Sequence, residues 1–284
     1  MNLSVCIITK NEALKLKKCL ASLKRYDVEI VVVDTGSTDE TLQIIEEYAD
    51  IKGNYKWNDN FAEARNCSIT LANNEWILVL DSDEWIESAD MNLINSILLQ
   101  SDSNIVGRIE RINDINLSGE NVKGTERISR LFNKKYCHYE GRIHEQVVSN
   151  NNGDEIKTID VPIIAGHSGY AGSEDDKKKK SERNIKLLMM DLMENGASPY
   201  TYYQIGKSYY MQKDYEIFIE DINPCGGEQY SKKTLIEAEA ASPEAYVKEN
   251  GRFPILESTR NESGDVVIVT GDNQGSFVRY TFTE

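Results

Sequence analysis

Three short apolar runs near the N-terminus, each followed by a polar side chain, constrain the fold of this chain more than any other feature. The runs span residues 3–8, 29–33 and 76–80, and the polar residues that follow them are Thr9, Asp34 and Asp81. Continuous apolar runs rich in β-branched residues are typical of strands buried on both faces of a sheet. Because helical periodicity separates the runs, strand and helix alternate, and this order predicts right-handed crossovers and a parallel α/β sheet.

The periodicity also predicts the remaining elements of the first domain. Helices are expected at residues 11–23, 39–48 and 60–71. After Asp83 the pattern changes, and the further elements expected are a helix at 92–99 and strands at 108–112, 129–132 and 161–164. A parallel core with such an extension predicts an α/β domain with a mixed sheet over residues 1–170.

The charge of the chain limits its partners. The formal net charge is −15 at pH 7, so repulsion from a phosphate backbone makes nucleic acid a poor partner. An anionic nucleotide would need a cation or helix N-termini to offset the same repulsion. This requirement favours a metal.

Cysteine usage and hydropathy bear on the compartment. The five cysteines form no C-x-x-C pair, which favours a reducing environment. No window approaches the length of about 18 apolar residues that a membrane span needs, and the run Leu3–Thr9 is too short for a signal peptide. We therefore expect a cytoplasmic protein without a membrane span, and a peripheral position at the inner face of the membrane stays open.

The strand ends predict a binding crevice. In open α/β sheets, ligands bind outside the carboxyl ends of the strands, so Thr9, Asp34 and Asp81 are expected to converge. Asp81 and Asp83 place two carboxylates at one strand end. Hard oxygen ligands suit Mg²⁺ or Mn²⁺, which keep open positions for substrate phosphates. The alternative is that Asp34 and Asp81 only end their strands and cap turns.

Four segments, in this order and spacing, resemble the successive motifs of family 2 GT-A glycosyltransferases. They are residues 4–12, 33–41, 61–66 and 81–84, which read SVCIITKNE, VDTGSTDET, FAEARN and DSDE. The resemblance covers roughly residues 1–170 and implies a GT-A fold, which is a Rossmann-like mixed sheet, and transfer of a sugar from a nucleotide-sugar donor. It is specific for neither the sugar nor the acceptor.

The resemblance also implies roles for individual residues. Thr9 and Glu12 would lie beside the nucleoside, and Asp34 would hydrogen-bond a uracil-like base. Asp81 would approach the ribose, and Asp83 would ligate the Mn²⁺ or Mg²⁺ ion.

Arg65, in the third motif, is implied to lie near the base or the diphosphate. A guanidinium fork suits phosphate and would offset its charge in an acidic protein. The alternative is a surface ion pair on the same helix with Glu63, or one with Glu12.

A second block resembles a subgroup that contains bacterial envelope sugar transferases and the peptide S-glycosyltransferases of glycosylated bacteriocins. Its two parts are GRIHE at residues 141–145 and the H-x-G-Y pattern at residues 167–170. Two of the three histidines of the chain, His144 and His167, lie in these parts. They could complete the metal shell or contact phosphate, although a lone histidine is more often structural.

An inverting transfer needs a base that takes the acceptor proton while the acceptor attacks the anomeric carbon. A carboxylate beside the metal site can do this. Glu145 is the first candidate, and Glu84, next to Asp83, is the alternative.

The rest of the chain differs in character. Residues 171–220 begin with a polar linker at 172–180, and its charged run at 175–180 is expected to be the solvated start of a helix. A helix at 183–194 follows, and then a tyrosine-rich run from Pro199 that resembles the first half of a tetratricopeptide unit. Further repeats at that period do not follow. One partial repeat cannot bury its own face, so it has to pack on the first domain or on another chain, and a homo-oligomer stays open. Residues 221–284 form an α+β tail of unassigned role with a β-hairpin expected around Gly271–Gly275.

The leading hypothesis is a metal-dependent inverting glycosyltransferase that uses a UDP-sugar, with glucose or a relative as the sugar. The acceptor would be a glycan, a lipid-linked sugar or a peptide side chain. Two alternatives are a catalytically silent nucleotide-sugar-binding module and a sugar nucleotidyltransferase. Retention of the acidic and basic site residues argues against the first, and the lack of a glycine- and lysine-rich loop after the first strand argues against the second.

Overall fold

The computed structural model of the chain divides into two compact units, Met1–Gly172 and Ser173–Glu284. The residues described are 2–100, 104–117, 120–151, 154–168, 174–196, 201, 204–205, 208–209, 255–260, 266–271 and 277–282.

The first unit begins with the alternation of strand and helix that the sequence predicts. Its first elements are β1 (Leu3–Thr9), α1 (Ala13–Leu23), β2 (Glu29–Asp34), α2 (Thr41–Tyr48), β3 (Ile51–Asn54), α3 (Phe61–Leu71) and β4 (Trp76–Asp81). The remaining elements are β5 (Glu84–Ala89), α4 (Met91–Gln100), β6 (Ile105–Leu117), β7 (Glu120–Asn133), β8 (Cys137–Glu140), β9 (Gln146–Ser149) and β10 (Lys157–His167). The predicted strands and helices are all present, with ends that differ by a few residues, and β6, β7 and β10 are longer than expected.

Four strands of this unit were not predicted. β3 alternates exposed and half-buried residues at the edge of the sheet, and β5 mixes buried and exposed side chains, so neither has the continuous apolar pattern of the other strands. β8 and β9 are short and pair with each other in a separate two-stranded sheet. Short strands of this kind are defined by their partners rather than by their own composition.

Eight strands form one mixed sheet in the order β3-β2-β1-β4-β7-β6-β10-β5. β1 pairs in parallel with β2 and with β4, and β2 pairs in parallel with β3. From β4 onward the sheet is mixed, because β7 runs antiparallel to both β4 and β6. This confirms the predicted α/β class with a parallel core and a mixed extension.

The short connection from β4 to β5 requires the sheet to curl. Asp81 ends β4 and Glu84 begins β5, so the chain can span only about 11 Å between them. In the sheet order the two strands are four steps apart, which would be roughly 19 Å in a flat sheet. The far edge therefore curves back toward the parallel core, and side chains from β5, β6 and β7 meet near the end of β4.

Side chains on both faces of the parallel strands are buried. Val5 and Ile7 of β1 belong to one apolar cluster together with Leu16 and Leu20 of α1. Cys6, between them, belongs to a second cluster on the opposite face. Alternating residues of one strand thus contribute to two cores, which is why the strand reads as one continuous apolar run.

In the second unit, α5 covers Glu174–Asn195. The sequence predicted a polar linker at residues 172–180 whose charged run is the solvated start of a helix, followed by a helix at 183–194. α5 contains both the charged run and the predicted helix, so the expected helix start is confirmed. The run of four lysines is compatible with a helix, since lysine has a good intrinsic helix propensity.

The tail contributes β11 (Ile255–Arg260), β12 (Val266–Gly271) and β13 (Phe277–Phe282), which form a three-stranded antiparallel sheet in that order. β12 and β13 are the two strands expected on either side of the predicted hairpin loop. Of the tetratricopeptide-like run from Pro199, the structure describes only residues 201, 204–205 and 208–209, which are helical. Most of the predicted hairpin loop lies outside the described residues. None of the helices built from the described part of the chain has the length and apolar character that crossing a membrane requires.

Gly166 tests the packing at the curled edge. A methyl group at this position would lie under 3.0 Å from Cε2, Cζ2 and Nε1 of the Trp85 ring, and Nζ of Lys18 lies over the same ring, 2.9 Å from its centroid. The ring has little room to move, so we expect Gly166→Ala to lower the free energy of unfolding by about 1–3 kcal/mol. Urea denaturation measures this.

Gly53→Ala is the matched control. Its methyl group would meet Cδ1 of Leu71 at 2.5 Å and Cγ2 of Val33 at 3.0 Å. The closer contact is the tip of a flexible side chain that is 38% exposed. We expect a loss below about 1 kcal/mol. An equal or smaller loss for Gly166→Ala would contradict the packing of Trp85 against β10.

Candidate active site

The ends of β1 and β2 lie side by side, as the sequence predicts. Thr9 is in register with Asp34, and Ile8 is in register with Asp81. The three polar strand ends therefore meet at one edge of the sheet. Thr9 is buried, and its hydroxyl has no hydrogen-bond partner among the described residues.

The carboxylate of Asp34 caps the turn that follows β2. Its Oδ2 accepts from the amides of Gly36 at 2.9 Å and Ser37 at 3.0 Å. Gly36 has φ +108°, a conformation that favours glycine. Glu12, at the start of α1, donates its amide to the hydroxyl of Thr41 and pairs with Lys15. Asp34 thus caps the turn after β2, as the alternative interpretation held.

Helix α3 holds the GRIHE loop in place through two neighbouring residues. Asn66 pairs with the backbone of Tyr139, because its Nδ2 donates to the carbonyl at 2.8 Å and its Oδ1 accepts from the amide at 3.0 Å. Arg65 donates through Nε to Oε1 of Glu145 at 2.5 Å. At the start of the helix, the amide of Phe61 donates to the carbonyl of Arg142. The FAEARN and GRIHE motifs are therefore in direct contact.

Arg65 also contacts Asp81, and this carboxylate is shared with a second arginine. NH2 of Arg65 lies 2.6 Å from Oδ1 of Asp81, and NH2 of Arg130 lies 2.6 Å from Oδ2. Burial alone would raise the pKa of Asp81, but Arg130 and Arg65 outweigh it and hold the pKa of that carboxyl well below its usual range. Asp81 therefore stays ionised and anchors α3 and β7 to the end of β4.

The surface ion pair considered for Arg65 was wrong. Arg65 is only 5% exposed and pairs with Asp81 and Glu145. Glu63 instead accepts hydrogen bonds from Tyr55, Asn58 and Asn60. The position of Arg65 in its helix did not predict these ion pairs, because Asp81 and Glu145 lie 16 and 80 residues away in the sequence.

Glu84 is a structural carboxylate rather than an exposed one. It is fully buried, at 0% exposure. Its Oε2 accepts from the amide of Asp81 at 2.9 Å, and its Oε1 pairs with Arg111 at 2.9 Å and with Arg130 at 3.3 Å. These contacts hold β5 against β6 and β7 where the sheet curls. A carboxylate committed in this way is poorly placed to reach a substrate.

Asp83 and His167 are brought together by the pairing of β5 with β10. Glu84 is in register with His167, so the residue before Glu84 lies beside that histidine. Nε2 of His167 is 3.5 Å from Oδ2 of Asp83. The amide of Ser168 also donates to the carbonyl of Asp83 at 3.3 Å. Two of the three residues considered as metal ligands are thus adjacent.

His144 lies on the GRIHE loop, directly before Glu145. It is half-buried and has φ +53°, a left-handed conformation that histidine, like asparagine and aspartate, adopts more often than most residues other than glycine. Gly141 in the same loop has φ +98°. The described residues contain no group of three or more His, Cys, Asp or Glu side chains arranged to hold a metal ion.

Sequence reasoning missed the residues on the mixed part of the sheet that complete this site. They are Arg111 and Asn113 on β6, and Glu126 and Arg130 on β7. One signal was available, because Arg130 directly precedes the apolar pair Leu131–Phe132 in a predicted strand. A buried arginine in such a run requires a carboxylate partner.

A model of the family "Glycosyl transferase family 2" matches residues 4–152. This chain belongs to glycosyl transferase family 2. The match covers the parallel core, α3 and the GRIHE loop, and with the mixed sheet it confirms the predicted GT-A family 2 domain.

Named relatives agree with this assignment. The chain is 34% identical over 188 residues to the SPbeta prophage-derived glycosyltransferase SunS of Bacillus subtilis (strain 168). The matched region covers 64% of this chain and 43% of SunS. The chain thus spans less than half the length of that relative. It is 30% identical over 207 residues to an uncharacterized glycosyltransferase of Rickettsia bellii, which covers 69% of each. The S. aureus TarS 1–349 structure in complex with UDP-GlcNAc has a TM-score of 0.46 and 15% identity, over 100% of this chain and 99% of TarS 1–349.

The buried position of Glu84 leads to a stability prediction. Glu84→Gln keeps an acceptor for the amide of Asp81 but removes the charge that faces Arg111 and Arg130. Loss of one partner from a buried ion pair costs about 3–5 kcal/mol, and we expect a loss near the lower end because both arginines keep another carboxylate. Urea denaturation checks this. The control is Glu46→Gln, whose carboxylate is 71% exposed in its pair with Lys52, with an expected loss below about 1 kcal/mol. Similar losses for the two variants would contradict a structural role for Glu84.

Proposed function

We propose that this chain is a metal-dependent inverting glycosyltransferase that moves a sugar from a UDP-sugar to a nucleophilic acceptor. The observation that carries the proposal is the juxtaposition of two sets of groups at one sheet edge. The first set is Asp83 and His167, which lie next to each other. The second set is Glu145 and Arg65, which form an ion pair, and Arg65 also pairs with Asp81. The first set suits a cation and the second suits proton transfer.

The pair of Asp83 and His167 fits Mn²⁺ or Mg²⁺. A carboxylate oxygen and an imidazole nitrogen 3.5 Å apart can both ligate one ion after a small movement, since typical ligand distances are about 2.0–2.2 Å. Both are good ligands for Mn²⁺, and Asp83 is 20% exposed and so open to a substrate. The cation would neutralise charge that develops on the departing diphosphate. His144 stays a candidate third ligand.

Glu145 is the group that we assign as the base. Its side chain is 11% exposed, and a carboxylate that accepts one N–H from Arg65 still has lone pairs for an acceptor proton. The acceptor oxygen or sulfur forms a bond to the anomeric carbon, the bond from that carbon to the diphosphate breaks with its electron pair, and the proton passes to Glu145. Attack opposite the leaving group inverts the anomeric centre. The commitment of Glu84 to Arg111 and Arg130 supports Glu145 over Glu84.

The nucleoside is assigned to the ends of β1 and β2. Asp34 would hydrogen-bond the imino N–H of uracil, with Thr9 and Glu12 beside the nucleoside. Asp81 orients Arg65 and Arg130, whose positive charge would lower the repulsion between a diphosphate and an acidic protein. For the sugar we propose glucose or a relative, and for the acceptor a glycan, a lipid-linked sugar or a peptide side chain.

The metal assignment predicts a specific loss. Asp83→Asn should weaken Mn²⁺-dependent binding of UDP and abolish donor turnover, because an amide is a poorer ligand for a hard cation. EDTA should do the same to the native protein. Calorimetry with UDP and Mn²⁺, and hydrolysis of UDP-glucose, measure the two effects.

Asp160→Asn is the matched control for Asp83→Asn. Asp160 lies on β10 like His167, but it is exposed and pairs with Arg108. This variant should bind UDP with Mn²⁺ as the native protein does. Full turnover of the native protein in EDTA would refute metal dependence.

The base assignment predicts a loss of transfer without a loss of binding. Glu145→Gln keeps an acceptor for Arg65 but cannot take up the proton, so transfer should fall by at least about 100-fold. Affinity for UDP should change little. The measurement is transfer from labelled UDP-glucose to a panel of hexose glycosides and of serine- and cysteine-containing peptides, with hydrolysis by water as the minimal reaction.

Glu140→Gln, in the same hairpin but exposed, is the control and should stay within about twofold of the native rate. If Glu145→Gln also abolished binding of UDP with Mn²⁺, Glu145 would belong to the metal shell. Unchanged transfer in every assay would show that another group takes the proton. A cysteine acceptor depends less on a base because part of it is already thiolate at neutral pH, so the serine peptides and glycosides give the stricter test.

A further inference from the structure

Asn113 links the metal candidate His167 to the ionic cluster on the curled sheet. β6 and β10 run parallel, and Asn113 is in register with His167. Nδ1 of His167 lies 2.7 Å from Oδ1 of Asn113, and Nδ2 of Asn113 lies 2.6 Å from Oε1 of Glu126. Asn113 and His167 are each 6% exposed, so water competes little for these bonds.

The donor and acceptor roles in this chain of contacts are fixed from one end. Arg111 has only donors, and its Nε and NH2 lie 3.1 Å and 2.7 Å from Oε1 of Glu126. Burial alone would raise the pKa of Glu126, but hydrogen bonds from Arg111 and Asn113 outweigh it and lower that pKa. Glu126 is therefore an ionised carboxylate, which can only accept.

The orientation of the Asn113 amide follows from this. Since Glu126 can only accept, the NH₂ group of Asn113 has to face it, and the amide oxygen has to face His167. An amide oxygen also only accepts, so Nδ1 of His167 has to carry a proton. Arg111 thus determines, through Glu126 and Asn113, which atom of the Asn113 amide faces His167.

The other nitrogen of His167 then has a defined role. A neutral imidazole protonated at Nδ1 carries a lone pair on Nε2. Nε2 lies 3.5 Å from Oδ2 of Asp83. The lone pair on this nitrogen and the carboxylate oxygen are therefore close enough to bind the same cation. A divalent cation satisfies both at once. Histidines that ligate metals usually donate their other N–H to a fixed acceptor, which orients the ring.

We propose that Asn113 is a positioning residue that fixes His167 in the form protonated at Nδ1, so that Nε2 and Asp83 together present two lone pairs to a divalent cation. The inference rests on the proposed metal dependence and adds the residues that prepare the ligand before the cation arrives. Glu126 and Arg111 act through Asn113 by fixing its orientation.

Nitrogen NMR of the metal-free protein tests the protonation state of the ring directly. The chain has three histidines, so long-range ¹H–¹⁵N spectra of the imidazoles contain few signals, and the His167→Gln variant assigns the signal of His167. The same spectra distinguish a ring protonated on one nitrogen from an imidazolium, so they are recorded at several pH values. We expect His167 to be protonated at Nδ1 in the native protein. In Asn113→Leu, which has a similar shape but no acceptor, we expect this preference to be lost.

Affinity for Mn²⁺ is the second readout, measured by electron paramagnetic resonance of free Mn²⁺ with saturating UDP. Loss of a residue that orients a ligand typically weakens metal binding 10–100-fold, and we expect a loss of at least about 10-fold in Asn113→Leu on that scale. The matched control is Asn133→Leu. Asn133 is also a 6% exposed asparagine, on β7, but its side chain accepts from the amide of Lys135. This control should change neither the ring of His167 nor the affinity for Mn²⁺.

The two readouts separate the possible failures. A native His167 protonated at Nε2, or an Asn113→Leu protein with native affinity for Mn²⁺, overturns the inference while metal dependence stands. Equal losses of Mn²⁺ affinity in Asn113→Leu and Asn133→Leu also overturn it, because they indicate a general loss of structure. A native protein that does not bind Mn²⁺ in the presence of UDP refutes the proposed metal dependence itself.

Discussion

The ion pairs of Asp81 with Arg65 and Arg130 are the interaction on which the site depends. One carboxylate at the end of β4 binds an arginine from α3 and an arginine from β7. Both arginines are buried, so loss of the carboxylate would leave buried positive charge without this partner, which is strongly destabilising. The helix, the parallel core and the mixed extension are therefore held in one relative position at the crevice, and Arg65 extends this order to Glu145.

The curl of the sheet makes the second half of the site possible. Because only two residues separate β4 from β5, the far edge of the sheet returns to the crevice, with Glu84 as its buried anchor. Asp83 lies in that connection and meets His167 at the end of β10. Asp81 and Asp83, although separated by only one residue, thus have different partners. Asp81 binds two arginines, and Asp83 lies beside His167.

The motifs also gain a physical meaning from their contacts. In FAEARN, the arginine binds two carboxylates, and the asparagine pairs with the backbone of Tyr139 as a neighbouring strand would. In GRIHE, glycine permits a turn with φ +98°, and the glutamate receives the arginine. The arginine of one motif thus pairs with the glutamate of the other, although the two residues are 80 positions apart. This contact is a physical reason for the two motifs to occur together in one sequence.

The sequence by itself determined the parallel core, α3 and the strand ends at Thr9, Asp34 and Asp81, because burial on both faces of a strand and on one face of a helix leaves a local periodic record. It also indicated the family through local motifs. Only the tertiary structure decided that Arg65 binds Asp81 and Glu145, that Glu84 is a buried anchor, and that Asn113 and Arg130 belong to the site. The partners of a buried charge come from strands that are distant in the chain, and nothing in the local pattern records which strand the curled sheet will bring beside it.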